Sequence, residues 1–300
     1  MKWIKQLGLK AVSRIFPYRI SSDLRFWYTY RRFIDWKHPR DLNEWIHLLI
    51  EKSDAGVWAM YADKVRVREY VKSKGLGHIL LPQYGVWDDA SKIDFASLPA
   101  QFVLKTNHGC CTNIIVRDKD SLDKEAARSR MNSWLRQKFG RETGERHYRL
   151  IPPRILAEKL IDPARQHSGA DSIVDYKIWC VFGQPKYIFV SYDRSDDLLT
   201  VDLYDTDWQR RNELLNYGNG YILPERPMPR PECLDEMLRY ASVLAADEPE
   251  ARIDFYEVDG RPVFGEITLT SCGGKMSYFK DLFLKEIGDA IAQKNRINHC

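Results

Sequence analysis

The sequence has no run of about 18 uncharged apolar residues, so it offers no helix able to span a bilayer. Lys2, Lys5, Lys10 and Arg14 interrupt any apolar stretch near the start, and no secretory signal is expected. Cysteine is sparse and unpatterned: Cys110, Cys111, Cys180, Cys233, Cys272 and Cys300 form no Cys-x-x-Cys pair, and no His stands at ligand spacing from them. A zinc site is therefore not expected, and free thiols fit a reducing, cytoplasmic compartment. No Gly-Lys-Ser/Thr phosphate loop occurs, and there are no internal repeats or low-complexity tracts. The formal charge of +4 is small for 300 residues and gives no reason to invoke nucleic acid.

With 44% hydrophobic and 29% charged residues, the composition is that of an ordinary globular protein, long enough for two domains. Residues 1–20 pattern as a short basic amphipathic helix, with Trp3, Ile4, Leu7, Ala11, Ile15 and Phe16 on one face. A helix packed on its own domain is favoured over a weak peripheral membrane contact. Residues 21–80 read as helical. Aromatics recur at helical spacing from Arg25 to Phe33, Asp41 or Asn43 is placed to cap a second helix, and a third is expected from Tyr61 to Lys74, ending at Gly75. Its charged residues Asp63, Lys64, Arg66 and Arg68 read as a solvated face.

From residue 79 the period shortens. Strands are expected at 79–81, 84–87, 101–106, 114–117, 154–161, 175–182, 186–193 and 200–204, with a turn at Gly183-Gln184. Helices are expected at 121–138 with Ser121 as N-cap, at 231–246 and at 282–292. The charged segment 139–150 reads as a mobile loop, and four prolines make 224–231 an extended surface segment.

Near the C-terminus, residues 252–268 alternate polar and apolar positions on both sides of Asp259-Gly260, a strong hairpin signal. A two-residue loop there pairs Val258 with Arg261 and sends Asp254 and Glu266 to opposite faces. A three-residue loop, Val258-Asp259-Gly260, or another odd offset, puts Arg252, Asp254, Glu266 and Thr268 on one face. Two carboxylates beside a hydroxyl then form a hard-oxygen site suited to Mg²⁺ with nucleotide phosphates. A surface hairpin with solvated acids fits the stretch alone equally well.

Three further features precede it. Lys105 ends a strand before the polar loop Asn107-His108-Gly109-Cys110-Cys111-Thr112-Asn113, an arrangement that can surround a phosphate. Glu158-Lys159-Leu160 leaves an apolar strand whose backbone can meet an adenine edge. Lys177 lies within a strand that is otherwise apolar, and if it faces inward it needs a partner. Each alone is as well explained by ordinary surface residues; their order, lysine, strand exit, lysine, paired acids, is harder to reach by coincidence. Cys110-Cys111 beside His108 is not read as a thiol nucleophile, because catalytic Cys–His pairs are normally assembled from distant sequence.

Taken together, Asp63-Lys64, Val67-Arg68-Glu69-Tyr70, Gly85-Val86-Trp87, Phe102 to Lys105 with Asn107-His108, Ala157-Glu158-Lys159, Asp175-Tyr176-Lys177, Arg252-Ile253-Asp254 and Phe264 to Thr270 resemble the TupA-like ATP-grasp family over about residues 38–280. The resemblance implies an α+β protein with the ATP-grasp fold: two α+β subdomains gripping ATP, at 96–173 and 174–300, after a largely helical region at 1–95. It implies a carboxylate–amine ligase using ATP and Mg²⁺, which joins an amino acid or amine to a uronic acid of a bacterial surface polysaccharide or its precursor. By matching position, Lys105 and Lys177 would hold phosphates, with the His108-Gly109 loop over them. Glu158, Lys159 and Leu160 would line the adenine, and Asp162 would meet the ribose. Asp254, Glu266 and Thr268 would bind Mg²⁺, and Arg252 and Lys177 would act on the transferring phosphoryl group. The phosphate loop departs from the family pattern: it has Gly109-Cys110-Cys111 where relatives carry Ser and several glycines, leaving fewer freely oriented amides. Cytoplasmic placement, at the inner face of the membrane if residues 1–20 make contact there, completes the expectation.

Overall fold

The computed structural model describes residues 12–13, 15–195, 198–218, 220–246 and 248–297. Most of the amphipathic segment at 1–20, residues 1–11 and 14, lies outside them. Helices α1 (Tyr18–Tyr30), α2 (Leu42–Lys52), α3 (Ala55–Ala62) and α4 (Val67–Ser73) come first. Asp41 caps α2: its carboxylate accepts the Glu44 N–H at 3.0 Å. The single helix expected from Tyr61 to Lys74 is two. Asp63 ends α3 and its carboxylate accepts the N–H of Val65 at 2.9 Å, which turns the chain before α4 begins.

The strands form two sheets. The first has four, β1 (Gln83–Trp87), β2 (Phe102–Thr106), β3 (Asn113–Val116) and β4 (Ile155–Glu158), in the order β1-β4-β2-β3. Helix α5 (Lys124–Leu135) packs against it through Ala127 and Met131. Asp123 caps this helix, accepting from Ala126 N–H at 2.9 Å, whereas the expected cap Ser121 bonds back to Asp118. The run 79–81 is not a strand; the chain there makes a 3-10 turn at Gly77–Ile79. The segment 139–150, expected to be a mobile loop, is tied down. It buries Glu145 and His147, Glu145 accepts from the hydroxyls of Thr143 and Thr270, and Arg146 donates to the Glu51 carbonyl at 2.7 Å.

The second sheet has six strands in the order β10-β9-β5-β6-β7-β8: β5 (Asp175–Val181), β6 (Gln184–Tyr192), β7 (Leu199–Asp205), β8 (Tyr221–Ile222), β9 (Ala251–Val258) and β10 (Arg261–Thr268). The β5–β6 turn uses Phe182 and Gly183, both at positive φ (46° and 70°), one residue earlier than expected. Helix α6 (Leu234–Ala245) packs on the sheet through Met237 and Ala241, and α7 (Asp281–Ile297) sets Phe283 against Trp179 and Tyr187, on the face that also carries Lys177 and Arg252. Leu42, Ile46, Ile50, Trp58 and Val67 join this same core, so the N-terminal helices are built onto the larger sheet. Strand β1, which lies within the region 1–95, belongs to the smaller sheet. Among the described residues no helix is long and apolar enough to cross a membrane.

Candidate active site

The β9–β10 hairpin closes through a two-residue turn. Val258 pairs with Arg261, and Asp259 and Gly260 take φ of 51° and 70°, the left-handed pair that matches strand twist. The three-residue turn expected from sequence is therefore wrong. The odd offset enters further along, as a β-bulge at Gly265: Phe264 pairs with Phe255, the next pair is Glu266 with Asp254, and Gly265 is the extra residue. Without the bulge, Glu266 would turn toward the core with Phe264. With it, Ile253, Phe255, Phe264 and Ile267 stay buried while Arg252, Asp254, Glu266 and Thr268 share the cleft face. Glycine suits the position because a Cβ there would stand 3.0 Å from the Asp254 carbonyl oxygen. Gly265→Ala is expected to lower stability by about 1–3 kcal/mol, read as a fall in thermal midpoint, because the Asp254 backbone must shift to admit the methyl.

Strand β5 completes the face. Lys177 pairs with Asp254 and Trp179 with Arg252 across β9. The Lys177 ammonium donates to Asp254 at 2.7 Å and also binds Asp175, so this strand lysine does face inward and its partners are acids. Arg252 holds Asp254 with two bonds of 2.7 and 2.8 Å, reaches Thr268 Oγ1 at 3.1 Å and Glu266 at 3.3 Å, and lies over the Trp179 ring at 5.5 Å. Burial works to raise the Glu266 pKa, but the charges of Lys64, Arg252, Lys177 and Lys105 prevail and hold it at about 2. Glu266 is thus an anion at any physiological pH, and its side chain keeps 40% exposure toward the cleft.

The opposing wall comes from the smaller sheet. Lys105 on β2 ion-pairs with Glu158 on the adjacent β4. Together with Lys64, Arg68, the Gly109–Thr112 loop, Asp175, Asp254, Tyr256 and Glu266 they line a cleft of about 240 Å³ between the sheets. The loop is pinned at its base by the Thr106–Thr112 hydroxyl pair at 2.6 Å, and at Gly109, whose carbonyl accepts from Lys64 Nζ at 2.7 Å. The left-handed turn that extra glycines would ease falls on Cys111, at φ 56°.

Lys64 was missed by sequence reasoning. Its ammonium spans the loop and the far wall, 3.7 Å from Glu266. Asn107 places it: the buried amide donates to Asp63 at 2.8 Å and accepts from Arg154 N–H at 2.7 Å, while its own carbonyl accepts the Lys64 N–H at 3.2 Å. The signal was the Asp63-Lys64 and Asn107 motif pair, which codes one joint.

The other expected residues divide. Lys159, Leu160 and Asp162 line a neighbouring depression of about 460 Å³, walled by Ile79, Leu81 and Val263, and Leu81 lines the 240 Å³ cleft as well. Asp162 spends its carboxylate on capping the turn at Pro163–Arg165. His108 is not in the cleft: it is buried, meets the Gln137 carbonyl at 3.2 Å and sets its ring edge-on to Phe139, on the reverse side of the loop.

Behind Arg252 and Trp179, Glu250 is fully buried, and burial raises its pKa to about 8 against the opposing pull of the Arg252 charge and the Trp179 indole N–H. An acid raised in the fold binds a proton that the unfolded chain has lost, so stability falls as pH rises from about 4.5 to about 8. Glu250→Gln is expected to match the parent near pH 5 and exceed its stability near pH 8 by on the order of a few kcal/mol, measured by denaturation at both pH values.

Asp254, Glu266 and Thr268 bring hard oxygens, the kind a divalent cation such as Mg²⁺ would take, onto one face. Among the described residues there is no cluster of three or more His, Cys, Asp or Glu able to hold a metal alone, so phosphate oxygens would have to complete the shell.

Two sheets facing each other across a polar cleft, with paired acids on a hairpin and lysines on both walls, define the ATP-grasp class. The helices that precede them and the joined Asp63-Lys64 and Asn107 motifs narrow this further. The chain belongs to the TupA-like ATP-grasp family, whose model matches residues 44–292. No curated protein matches the sequence. Among solved structures, the D-alanine–D-alanine ligase of Bacillus anthracis is similar at 16% identity and a TM-score of 0.46, over 80% of this chain and 70% of that one. The D-alanine–D-alanine ligase of Helicobacter pylori is similar at 14% identity and a TM-score of 0.43, over 78% of this chain and 61% of that one. The L-amino acid ligase of Bacillus licheniformis is similar at 12% identity and a TM-score of 0.43, over 90% of this chain and 56% of that one.

Proposed function

We propose that the chain is an ATP-dependent carbon–nitrogen ligase that activates a carboxylate as an acylphosphate and passes the acyl group to an amine. The observation that supports this best is the bulge-made pairing of Asp254 with Glu266, facing Lys64 and Lys105 across the cleft. Mg²⁺ held there would screen the phosphate charge and orient the terminal phosphoryl group. Lys105, now paired with Glu158, and Lys64 would turn to phosphate oxygens, which supply more negative charge than one carboxylate. Lys177 and Arg252 would stabilise the phosphoryl group in flight. The adenine would lie along Glu158, Lys159 and Leu160, where the cleft meets the adjoining depression, with Asp162 toward its sugar.

In the first step a substrate carboxylate oxygen attacks the terminal phosphorus, and ADP leaves. In the second an amine attacks the carbonyl carbon, the C–O bond to phosphate breaks, and the amine loses a proton as the amide forms. The fold holds both reactants in line and needs no enzyme nucleophile. For the acid we propose a uronic acid of a bacterial surface glycan or its precursor, and for the amine an amino acid or a simple amine. We place the enzyme in the cytoplasm near the inner membrane face, in keeping with its free thiols and the basic residues of segment 1–20. The division into 1–95, 96–173 and 174–300 is kept as a working domain scheme.

An ADP-release screen of uronic acids against amines tests the reading. Release that requires both an acid and an amine supports it. Release with the acid alone, leaving a stable phosphorylated product, would make the protein a phosphotransferase.

A further inference from the structure

On the reverse side of the phosphate loop lies a basin of about 560 Å³. Its wall carries Lys138, Arg141 and Arg149 with the rings of Phe139, Tyr148 and His108, and no carboxylate lines it among the described residues. Those three cations have no ion-pair partner among the described residues, unlike Lys64, Lys105, Lys177 and Arg252, and they line the basin. The buried Nδ1 of His108 has no hydrogen-bond partner among the described residues and belongs to the same wall.

Two links join the basin to the chemistry. His108 lines the basin while its chain neighbour Gly109 lines the cleft, and Gly109 presses so closely on Phe139 that a Cβ would come within 2.2 Å of the ring. Tyr148 is the second link: burial raises its phenol pKa first, and the charges of Glu145, Glu266 and Cys110 add to this, opposed by Arg252. Its ring lines the basin while the charges of Glu266 and Arg252 act on its phenol.

We propose that this basin binds the acidic substrate as a carboxylate-bearing glycan, and leads it past the Gly109 loop to the phosphoryl-transfer centre. Arg141, Arg149 and Lys138 pair with the carboxylates, the guanidinium groups in the two-bond mode that suits a carboxylate. The rings of Tyr148 and Phe139 line the basin beside the cations and add apolar surface that suits the C–H side of a sugar, which is why a glycan is favoured over an acidic peptide. This inference rests on the ligase reading above.

The test is a titration of the full chain with oligogalacturonate, a neutral glucan of equal length and polyglutamate. Thermal stabilisation by Mg²⁺-ATP is measured alongside as a check on fold and nucleotide site. The wild type should bind oligogalacturonate and neither of the others as tightly. Arg141→Ala/Arg149→Ala should weaken that binding by at least about tenfold and keep the Mg²⁺-ATP shift, whereas Arg239→Ala on α6 should change neither. Unaltered binding by the double variant overturns the proposal. So does tighter binding of polyglutamate, or a wild type that takes Mg²⁺-ATP but none of the polymers. A wild type that binds oligogalacturonate yet shows no Mg²⁺-ATP shift overturns the ligase reading, and with it the basin's role as a substrate site.

Discussion

Glu266→Gln is expected to release ADP roughly 10²–10³ times more slowly than the parent at saturating substrates, with a fall in thermal midpoint smaller than that of Asp254→Asn. The reason for the smaller structural effect is position. Glu266 is held by the fields of Lys64, Arg252, Lys177 and Lys105 and by long bonds of 3.3 Å to Arg252 and Thr268, and 40% of its side chain faces the cleft. The amide keeps the shape and removes the anion, so a metal–phosphate complex loses one hard ligand. Asp254→Asn should be equally inactive and also less stable. Asp254 is 2% exposed and binds both Arg252 and Lys177, so its neutralisation leaves these buried cations with only Glu266 and Asp175 as acid partners, an effect of about 3 kcal/mol. Full activity in either variant would remove the metal assignment. Steady-state ADP release with parallel denaturation separates loss of chemistry from loss of fold.

Lys64→Met carries the second large effect. Its ammonium bonds to the Gly109 carbonyl at 2.7 Å and stands 3.7 Å from Glu266, so it joins the phosphate loop to the acid wall. Methionine keeps the stem and removes the charge. The expected result is a fall of about 10–100-fold in kcat/KM for ATP, shared between a weaker nucleotide complex and slower chemistry. An unchanged KM for ATP would show that Lys64 only braces the loop. Arginine should not restore activity, because the fork of a guanidinium cannot place one ammonium-like point charge between loop and acid.

The hairpin shows where sequence reasoning stops. Asp259-Gly260 is a local code, and the two-residue turn it favours is the one that forms. From that turn alone, strict alternation forbids Asp254 and Glu266 from meeting. The exception was written in the chain as Gly265, a glycine inside a strand, the usual mark of a bulge or a close backbone approach. Its meaning depends on the Asp254 carbonyl 3.0 Å from where a Cβ would be, and that contact is tertiary.

Lys64 stayed hidden for a related reason. Helical periodicity runs from Tyr61 through Lys74, and only the bond from Asn107, far along the chain, shows that Asp63 ends one helix and aims the next residue into the cleft. Lys105, Lys177, Glu158 and the two acids each lie in a strand that the sequence marks, but the face Lys177 takes, and the shared face of Asp254 and Glu266, follow only from the register and the bulge. Lys159 and Leu160 line the neighbouring depression, while His108 follows the loop away from the cleft. The segment 139–150 read as a mobile loop because its burial of Glu145 depends on Thr270, which sequence pattern cannot bring near it.

The central claim is that the bulge assembles a metal–nucleotide site from Asp254 and Glu266. Calorimetric titration with a non-hydrolysable ATP analogue, in Mg²⁺ and in EDTA, tests it most directly, using the wild type and Glu266→Gln. The predicted result is binding by the wild type that requires Mg²⁺ and weakens at least about tenfold in the variant. Binding of equal strength in EDTA, or in Glu266→Gln with Mg²⁺, would contradict it.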